Sequence, residues 1–303
     1  MTGDGEKQTI GQIGEEGLVR RLLEKLPGSS AVAVGPGDDC AVVETPGEWW
    51  QLLKTDCIVE GIHFVVGTDP FLVGKKAMNR AISDIAAMGG LPEYALVTIA
   101  SHGSREVAVV EGWYDGMVAA SEEFGCTIVG GETTSLLQPG AILSVAMTGK
   151  VEPEKCVLRS GARVGDRILV TGKLGGSFQS GRHLDFIPRV KEARWLVENA
   201  RPSAMMDLSD GPGSDLPRLA EASSVGYRID SESLPLSDGV DPRSAVRDGE
   251  DYELLLTMNP KRWKVLSEEW AGAFPGTPLT CIGMITEEIE TPLGKGWEHY
   301  CES

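Results

Sequence analysis

Acidic residues recur where predicted strands end or on a half-buried predicted helix, mostly beside Gly, Ser or Thr. The eight are Asp38, Asp39, Asp56, Asp84, Glu132, Asp207, Asp210 and Asp215. Clusters that offer only oxygen ligands suit Mg²⁺, which is typically held by about one or two carboxylates together with substrate phosphates. Carboxylates about 4 Å apart repel each other by about 4 kcal/mol at an effective dielectric constant of about 20, so converging acids need a cation. The pattern predicts a magnesium site for phosphate chemistry.

The densest acid group lies between a predicted strand and a predicted helix. Met205 and Met206 lead into the run from Asp207 to Asp215, and Leu216 begins the helix. Ligands are often bound where strands lead into helices. Residues 207–215 are therefore predicted to form part of the site.

Several of these acids also have ordinary structural explanations. Arg80 precedes Asp84 by one helical turn, so an i,i+4 ion pair explains Asp84 about as well as a metal does. Asp38 and Asp215 could be turn or helix-capping residues, and Ser209 could form a turn between its two acidic neighbours. The number of acids in similar positions is what favours a metal site.

Apolar periodicity and turn residues predict the elements that must position these acids. Helices are predicted over 9–26, 70–88, 106–124, 190–199 and 260–271, with one more after residue 215. Strands are predicted over 31–34, 40–43, 49–53, 94–100, 127–129, 142–151, 167–171, 227–230, 253–258 and 279–285. The strand 49–53 would carry Lys54, Thr55 and Asp56 at its end. Because helices and strands interleave, and some neighbouring strands have no helix between them, the predicted class is α/β or α+β with mixed sheets.

Pro153 and the basic, glycine-bearing turn Arg159–Arg163 indicate a domain boundary. The prediction is an N-terminal domain over 1–152 and a C-terminal α/β domain over 153–303.

Composition restricts the class of protein. The chain has 303 residues, 41% hydrophobic content and a formal net charge of −17. This charge disfavours binding to nucleic acid or to an anionic membrane, which requires clustered Lys and Arg. No apolar run is long enough to span a bilayer, and Met1–Lys7 lack the features of a signal peptide. Six cysteines without a C-x-x-C pair indicate reduced thiols, so a soluble cytoplasmic protein is predicted.

Familiar catalytic signatures are absent from the sequence. It contains no P-loop, no dinucleotide-binding G-x-G-x-x-G after a strand, no H-E-x-x-H and no G-x-S-x-G. With only 4 histidines, a His-based metal cluster is not expected. The remaining chemistry is that of carboxylates.

The combined motifs resemble the thiamine-monophosphate kinase family in order and spacing. They are GDDCA (37–41), TD (55–56), VEGIHF (59–64), SDIAAMG (83–89), GGETT (130–134), RSGA (159–162), GD (165–166), DLSDG (207–211) and GEDYEL (249–254). The resemblance extends from about Gly35 to Trp297. This family belongs to an ATP-dependent superfamily that also contains aminoimidazole ribonucleotide synthetase and selenophosphate synthetase.

The resemblance implies a two-domain aminoimidazole ribonucleotide synthetase-like fold. It implies a homodimer formed through the N-terminal sheets, with ATP in a cleft between the domains. The N-terminal domain would bind ATP and Mg²⁺, and the C-terminal domain would complete the phosphate and substrate site. The implied reaction is direct in-line transfer of the ATP γ-phosphate to thiamine phosphate, which gives thiamine diphosphate.

The resemblance also implies roles for individual residues. The implied magnesium ligands are Asp39, Thr55, Asp56, Asp84, Glu132, Asp207 and Asp210, of which Asp207 and Asp210 are also the candidate catalytic residues. The implied nucleotide contacts are Gly131, Glu132, Arg159 and Ser209. The implied thiamine phosphate contacts are His63, Glu250 and Trp297, where an aromatic face suits a cationic thiazolium.

The sequence departs from the family pattern at three positions. Glu132 stands where the family usually has Asp, and Lys54 replaces a small hydroxyl residue before Thr55 and Asp56. Asp248 replaces the first glycine before Gly249, Glu250 and Asp251. Two other functions stay open: a related superfamily enzyme acting on another phosphate or amide substrate, and a non-catalytic nucleotide- or thiamine-binding protein.

Overall fold

Two β-sheets and the helices that cover them account for most of the chain. The computed structural model describes residues 8–300, so the segment Met1–Lys7 and the thiol of Cys301 lie outside the described residues. The helices are α1 (Ile10–Leu23), α2 (Pro70–Ala87), α3 (Val107–Phe124), α4 (Ser177–Ser180), α5 (Val190–Asn199), α6 (Pro212–Ser223), α7 (Pro242–Arg247) and α8 (Pro260–Ala273). The strands are β1 (Val32–Val34), β2 (Ala41–Val43), β3 (Trp50–Val59), β4 (Leu91–His102), β5 (Thr127–Leu136), β6 (Ala141–Val151), β7 (Arg167–Thr171), β8 (Ala204–Asp207), β9 (Gly226–Ile229), β10 (Leu254–Met258) and β11 (Leu279–Thr286). None of the helices in 8–300 is long and apolar enough to cross a membrane.

The first sheet has six strands in the order β1-β2-β3-β6-β4-β5. Only the β4–β5 pair is parallel; the others are antiparallel. Helix α2 packs against β3 and β6, so one face of this sheet is covered. On the other face apolar side chains such as Leu53, Tyr94 and Leu96 stay exposed.

Helix α2 is the most deeply buried helix, and its ends match the residues that predicted them. The Asp69 side chain accepts a hydrogen bond from Phe71 N at 3.0 Å, and Pro70 occupies the first turn. Past the other end, Gly89 adopts a left-handed φ of +72°. Because α2 is covered on nearly all sides, even its polar Ser83 and Asp84 are buried.

The second sheet has five strands in the order β8-β10-β7-β11-β9, and every pair in it is antiparallel. Helix α2 contacts both α5 and β8, so it lies between the two sheets. One hydrophobic core joins the two halves across this helix, with Met88, Leu196 and Met205 among its members. A residue on α2 can therefore face side chains from both sheets.

The mixed α/β class and its two sheets confirm the predicted fold. Two strand lengths were predicted wrongly. Strand β3 continues to Val59 because β6 pairs with it from Trp50 to Val59, so Thr55 and Asp56 lie inside a strand and not at its end. Strand β5 continues to Leu136 beside β4, which places Glu132 inside it. The two sheets fall on either side of residue 152, and the division into domains there stays a prediction.

Candidate active site

Three acids from separate parts of the chain meet beside α2. Asp39 precedes β2, Asp84 lies on α2, and Asp207 ends β8. All three are buried, and one carboxylate oxygen of each lies within 4.8 Å of the others. We call Asp39, Asp84 and Asp207 the acid cluster. It joins the first sheet, the buried helix and the second sheet at one point.

Two cations and a hydroxyl contact the acid cluster. Lys54 Nζ lies 2.6 Å from Asp84 Oδ1, and Arg159 Nε donates to Asp39 Oδ1 at 3.1 Å. The Ser83 hydroxyl donates to Asp207 Oδ2 at 2.6 Å. These contacts leave Asp39 Oδ2 buried and without a hydrogen-bond partner among the described residues.

The pKa shifts show the electrostatic cost of gathering these acids. Burial, followed by the charge of Asp39, raises the pKa of Asp207 to about 6. Burial also raises the pKa of Asp84 well above its ordinary value, against the charge of Lys54. Burial alone would lower the pKa of Lys54, but the carboxylates of Asp84 and Asp56 raise it above the ordinary value. A further positive charge would stabilise the ionised acids.

The acid cluster fits a magnesium ion by its chemistry. All of its ligand atoms are carboxylate oxygens, which a hard divalent cation prefers. The unpartnered, buried Asp39 Oδ2 is an acceptor that the protein does not satisfy itself. Asp39, Asp84 and Asp207 are therefore suited to hold the ion.

The predicted ligand Asp56 lies near the acid cluster but is held by another partner. Arg80 Nε and Nη2 donate to its two carboxylate oxygens, each at 3.1 Å. The suggestion that Arg80 pairs with Asp84 is therefore wrong, because Lys54 on β3 reaches Asp84 and Arg80 is occupied by Asp56. Burial alone would raise the pKa of Asp56, but the charges of Arg80 and Lys54 lower it.

Residues 207–215 turn sharply between β8 and α6. Gly211 has a φ of +88°, and a Cβ there would lie 2.5 Å from the Asp248 carbonyl oxygen. The Asp210 carboxylate pairs with Arg218, and Asp210 N donates to Asp215 Oδ2 at 3.0 Å. Asp215 is fully buried in the first turn of α6, as expected of a residue that organises a helix start.

Asp38 has a similar structural role on the other side of the site. Its carboxylate accepts hydrogen bonds from Asp39 N at 3.0 Å and from Arg159 N at 3.1 Å. Burial and the charge of Asp39 raise the pKa of Asp38 to about 6. These contacts hold Asp39, a member of the acid cluster, next to Arg159, the cation that contacts it.

His63, one of the three residues predicted to bind the acceptor substrate, has its ring fixed by the backbone. His63 Nδ1 accepts a hydrogen bond from Val59 N at 3.0 Å. Burial, followed by the charge of Arg80, lowers the pKa of His63 to about 4, so the neutral ring carries its proton on Nε2. The His299 ring lies 5.7 Å from that of His63 and 6.1 Å from that of Trp297.

Glu250 is fixed by cations on α2. Its carboxylate pairs with Lys76 and accepts from Arg80 Nη1 at 2.9 Å, while His183 Nδ1 lies 3.3 Å away. Burial alone would raise the pKa of Glu250, but hydrogen bonding to His183 and the two cations lower it to about 2. Its backbone has a φ of +67°, an uncommon value for a residue with a side chain.

Trp297 is tied to the acid-rich turn and stays open to solvent. Its backbone N donates to the Asp210 carbonyl oxygen at 2.9 Å. The side chain is 52% exposed. An aromatic face is thus available beside residues 207–215.

Lys76 was not among the predicted residues, yet it contacts both Glu250 and the His63 backbone. This side chain is fully buried, and its Nζ also donates to the His63 carbonyl oxygen at 2.7 Å. Burial lowers its pKa to about 8 despite Glu250. The signal was the spacing of Lys76, Arg80 and Asp84, which repeats every four residues and places all three on one side of α2.

Besides Asp56 and Asp210, which pair with Arg80 and Arg218 outside the acid cluster, three more predicted residues are not brought to it. Thr55 alternates with Lys54 and Asp56 along β3, so its hydroxyl points to the open face of the sheet. Glu132 is exposed on the edge strand β5, where it makes no contact with a described charged group. Gly131 has a packing role, because a Cβ there would lie 1.9 Å from the Val97 carbonyl oxygen.

The chain is similar to known proteins over most of its length. Residues 37–151 match the family described as AIR synthase related protein, N-terminal domain. The thiamine-monophosphate kinase of Rhodopirellula baltica is 36% identical over 273 residues, which cover 84% of each chain. That of Aquifex aeolicus is 34% identical, with 95% of this chain and 99% of the relative covered.

A solved structure, AaThiL complexed with AMPPCP and TMP, has the same fold. It superposes with a TM-score of 0.83 at 32% sequence identity, and covers 97% of this chain and 100% of its own. The similarity therefore extends over both sheets. From the length and level of this similarity, the chain belongs to the thiamine-monophosphate kinase family.

Proposed function

We propose that this protein is an ATP-dependent thiamine-phosphate kinase. An oxygen of the acceptor phosphate attacks the γ-phosphorus of ATP in line, and the bond from that phosphorus to the β,γ-bridging oxygen breaks. The products are ADP and thiamine diphosphate. The observation that carries the proposal is the acid cluster of Asp39, Asp84 and Asp207 beside the acid-rich turn, in a member of this kinase family.

The acid cluster is the proposed magnesium site, with Asp210 on the adjoining turn. When bound there, the ion would neutralise charge on the phosphate oxygens during transfer. Asp207 and Asp210 are separated by two residues of one turn, so their spacing is set by the backbone. The proposed function of this turn is to hold the acids in place before the nucleotide arrives.

Arg159, Ser209 and the N-terminus of α6 are the proposed contacts for the nucleotide phosphates. The guanidinium of Arg159 borders the acid cluster, as its hydrogen bond to Asp39 shows. Helix α6 begins at Pro212 directly after the turn, and the partial positive charge of a helix N-terminus favours phosphate. AaThiL was solved with AMPPCP, which supports ATP as the phosphate donor.

His63, Glu250 and Trp297 are the proposed contacts for thiamine phosphate. The neutral His63 ring can donate from Nε2 to a phosphate oxygen, since Nδ1 already accepts from the backbone. The exposed Trp297 face suits the cationic thiazolium or the pyrimidine. Glu250 is held by Lys76 and Arg80, which also fixes the loop after residue 248.

Two further properties are part of the proposal. The open face of the first sheet exposes Leu53, Tyr94 and Leu96, which supports a homodimer formed through this sheet. The five cysteines in 8–300 are free thiols, which fits a reducing cytoplasm. Roles for Thr55 in metal binding, and for Gly131 and Glu132 in nucleotide binding, stay predictions.

An acceptor panel tests the substrate assignment. The purified protein is incubated with ATP and Mg²⁺ and, in separate reactions, with thiamine phosphate, thiamine, other small phosphates or amides. ADP release that depends on thiamine phosphate supports the proposal. Release with another acceptor alone would favour a related superfamily enzyme, and ATP binding without acceptor-dependent release would favour a non-catalytic binding protein.

A further inference from the structure

Lys54 points into the acid cluster from the middle of strand β3. Along this strand Leu52, Lys54 and Ile58 alternate with residues of the open face, so the Lys54 side chain is directed toward α2. Its Nζ lies 2.6 Å from Asp84 Oδ1, and the two side chains are 22% and 9% exposed. This is a partly buried contact with an acid-cluster carboxylate, unlike an ion pair on the surface.

The neighbouring charges leave Lys54 available to the acid cluster. Asp56, which lies two residues after Lys54 on β3, already accepts two hydrogen bonds from Arg80. Arg159 contacts the acid cluster from the other side through Asp39. The three cluster carboxylates contact two protein cations, Lys54 and Arg159, which leaves about one negative unit on the cluster itself when all groups are ionised. The adjacent Asp38 carboxylate adds further negative charge beside Asp39 and Arg159.

One part of the acid cluster still lacks a partner. Asp39 is 2% exposed, and its Oδ2 atom has no hydrogen-bond partner among the described residues. A cation bound at this oxygen would therefore meet an acceptor that the protein leaves unsatisfied. Lys54 compensates Asp84, and Arg159 contacts Asp39 through Oδ1, so Asp39 Oδ2 is the cluster oxygen that remains for an added ion.

We propose that Lys54 is the resident cation of the acid cluster and makes its divalent-ion binding depend on the nucleotide. Without nucleotide, the ammonium opposes a second cation close to it, so a divalent ion binds weakly. The phosphates of a nucleotide bring negative charge that restores a favourable balance, and the ion then binds together with them. This inference rests on the proposed function only in taking a nucleoside triphosphate as the phosphate ligand.

The test measures Mn²⁺ binding to the nucleotide-free chain by electron paramagnetic resonance, without any measurement of turnover. Lys54→Gln keeps a hydrogen-bond donor but removes the charge, and is expected to bind Mn²⁺ at least about tenfold more tightly than the unchanged protein. Lys54→Arg keeps the charge and is expected to bind like the unchanged protein. Lys173→Gln removes an equal charge from the exposed pair with Asp238 and is the matched control.

Thermal unfolding supplies a second readout. In a metal chelator, Lys54→Gln is expected to unfold at a lower temperature than the unchanged protein, and Mg²⁺ is expected to remove most of the difference. A Lys54→Gln chain that folds only with Mg²⁺ would support the same conclusion. Equal Mn²⁺ affinity and equal chelator sensitivity in Lys54→Gln and the unchanged protein would overturn the proposal.

The unchanged protein provides an arm that needs no variant. Its Mn²⁺ affinity is expected to rise at least about tenfold when a non-hydrolysable ATP analogue is added. Mn²⁺ binding as tight without the analogue as with it would contradict the proposal, even if Lys54→Gln does not fold. None of these outcomes requires thiamine phosphate to be the acceptor.

Discussion

At the scale of single residues, the acid-rich turn gives the most direct prediction. Asp210→Asn keeps the size of the side chain and removes its negative charge. Because the transfer depends on charge placed around the phosphates, kcat is expected to fall at least ~100-fold. Steady-state kinetics and a thermal melt would check that activity is lost while the fold is retained.

The control for this change is Asp238→Asn, which alters an acid whose side chain is 95% exposed and pairs with Lys173 at the surface. Its kcat is expected to equal that of the unchanged protein. Full activity in Asp210→Asn would remove this carboxylate from the proposed magnesium site.

His63 gives a prediction for the dependence of stability on pH. Burial lowers the folded-state pKa of His63 from 6.5 to about 4, so the unfolded chain binds a proton first as the pH falls. The stabilisation is complete above pH 6.5 and is lost between there and about pH 4. It amounts to no more than about 3 kcal/mol.

His63→Gln should remove this contribution, because the amide oxygen can still accept from Val59 N but does not titrate. Urea unfolding at pH 7 and at pH 4 is expected to show a smaller loss of stability for the variant. An NMR titration of the ring would identify His63 as the group responsible. An equal loss in both proteins would contradict the burial argument.

Sequence patterns identified Asp39, Asp84 and Asp207, because each acid stands in a distinctive local motif. They did not identify Lys54 as the partner of Asp84. That contact depends on how β3 packs against α2, which a helical i,i+4 rule cannot describe. The same limit explains why Lys76 was missed, since its partners Glu250 and His183 come from distant segments.

Among the secondary-structure elements, α2 and α3 cross so closely that an added side-chain atom at the crossing is expected to destabilise the fold. A Cβ added at Gly74 would lie 1.8 Å from the Trp113 carbonyl oxygen, so the helices would have to separate. Gly74→Ala is therefore expected to lower the free energy of unfolding by about 1–3 kcal/mol or more. Chemical denaturation would measure the loss.

Gly272 on α8 is a matched control, because a Cβ there meets nothing within 4 Å. Gly272→Ala is expected to raise the free energy of unfolding by about 0.5–1 kcal/mol, since alanine restricts the unfolded chain and favours the helix. A Gly74→Ala protein as stable as the unchanged one would show that the helices can separate at little cost.

Helix α2 could be predicted from its sequence, because Asp69, Pro70 and Gly89 give clear signals at its two ends. The full lengths of β3 and β5 could not be predicted from the sequence. Their outer halves contain polar or glycine-rich segments such as Gly130–Thr134, which are extended because β4 and β6 pair beside them. Tertiary pairing overrode local propensity at these positions.

At the scale of the whole molecule, the open face of the first sheet predicts association. Leu53 and Tyr94 flank Thr148 across the strands, and Leu96 lies beside Ala146 on the same face. Leu96→Glu would place a charge in the proposed dimer interface and is expected to weaken dimerisation at least ~100-fold. Sedimentation velocity over a range of concentrations would measure the change.

The control is Val265→Glu on α8, because Val265 is 59% exposed and lies away from this sheet. It is expected to leave the association state unchanged. A monomer at all concentrations for the unchanged protein would contradict the proposed dimer.

The overall architecture followed from interleaved strand and helix patterns, and the family from motifs spread over the chain. The net charge of −17 indicated a need for cations near a phosphate ligand, which stays a prediction, and it did not show that Lys54 and Arg159 contact the acid cluster. The pairing of acids with Lys54 and Arg80 depends on how β3 packs against α2. The pair of Arg159 with Asp39 joins the two halves of the chain, and the pair of Arg218 with Asp210 forms across the turn before α6.

Transfer of the γ-phosphate to thiamine phosphate can be followed directly with a labelled donor. The protein is incubated with Mg²⁺, thiamine phosphate and ATP labelled at the γ-phosphate, and the products are separated by chromatography. We expect labelled thiamine diphosphate, formed in equal amount to ADP. Label that appears only in inorganic phosphate, or that stays in ATP while the protein is folded, would contradict it.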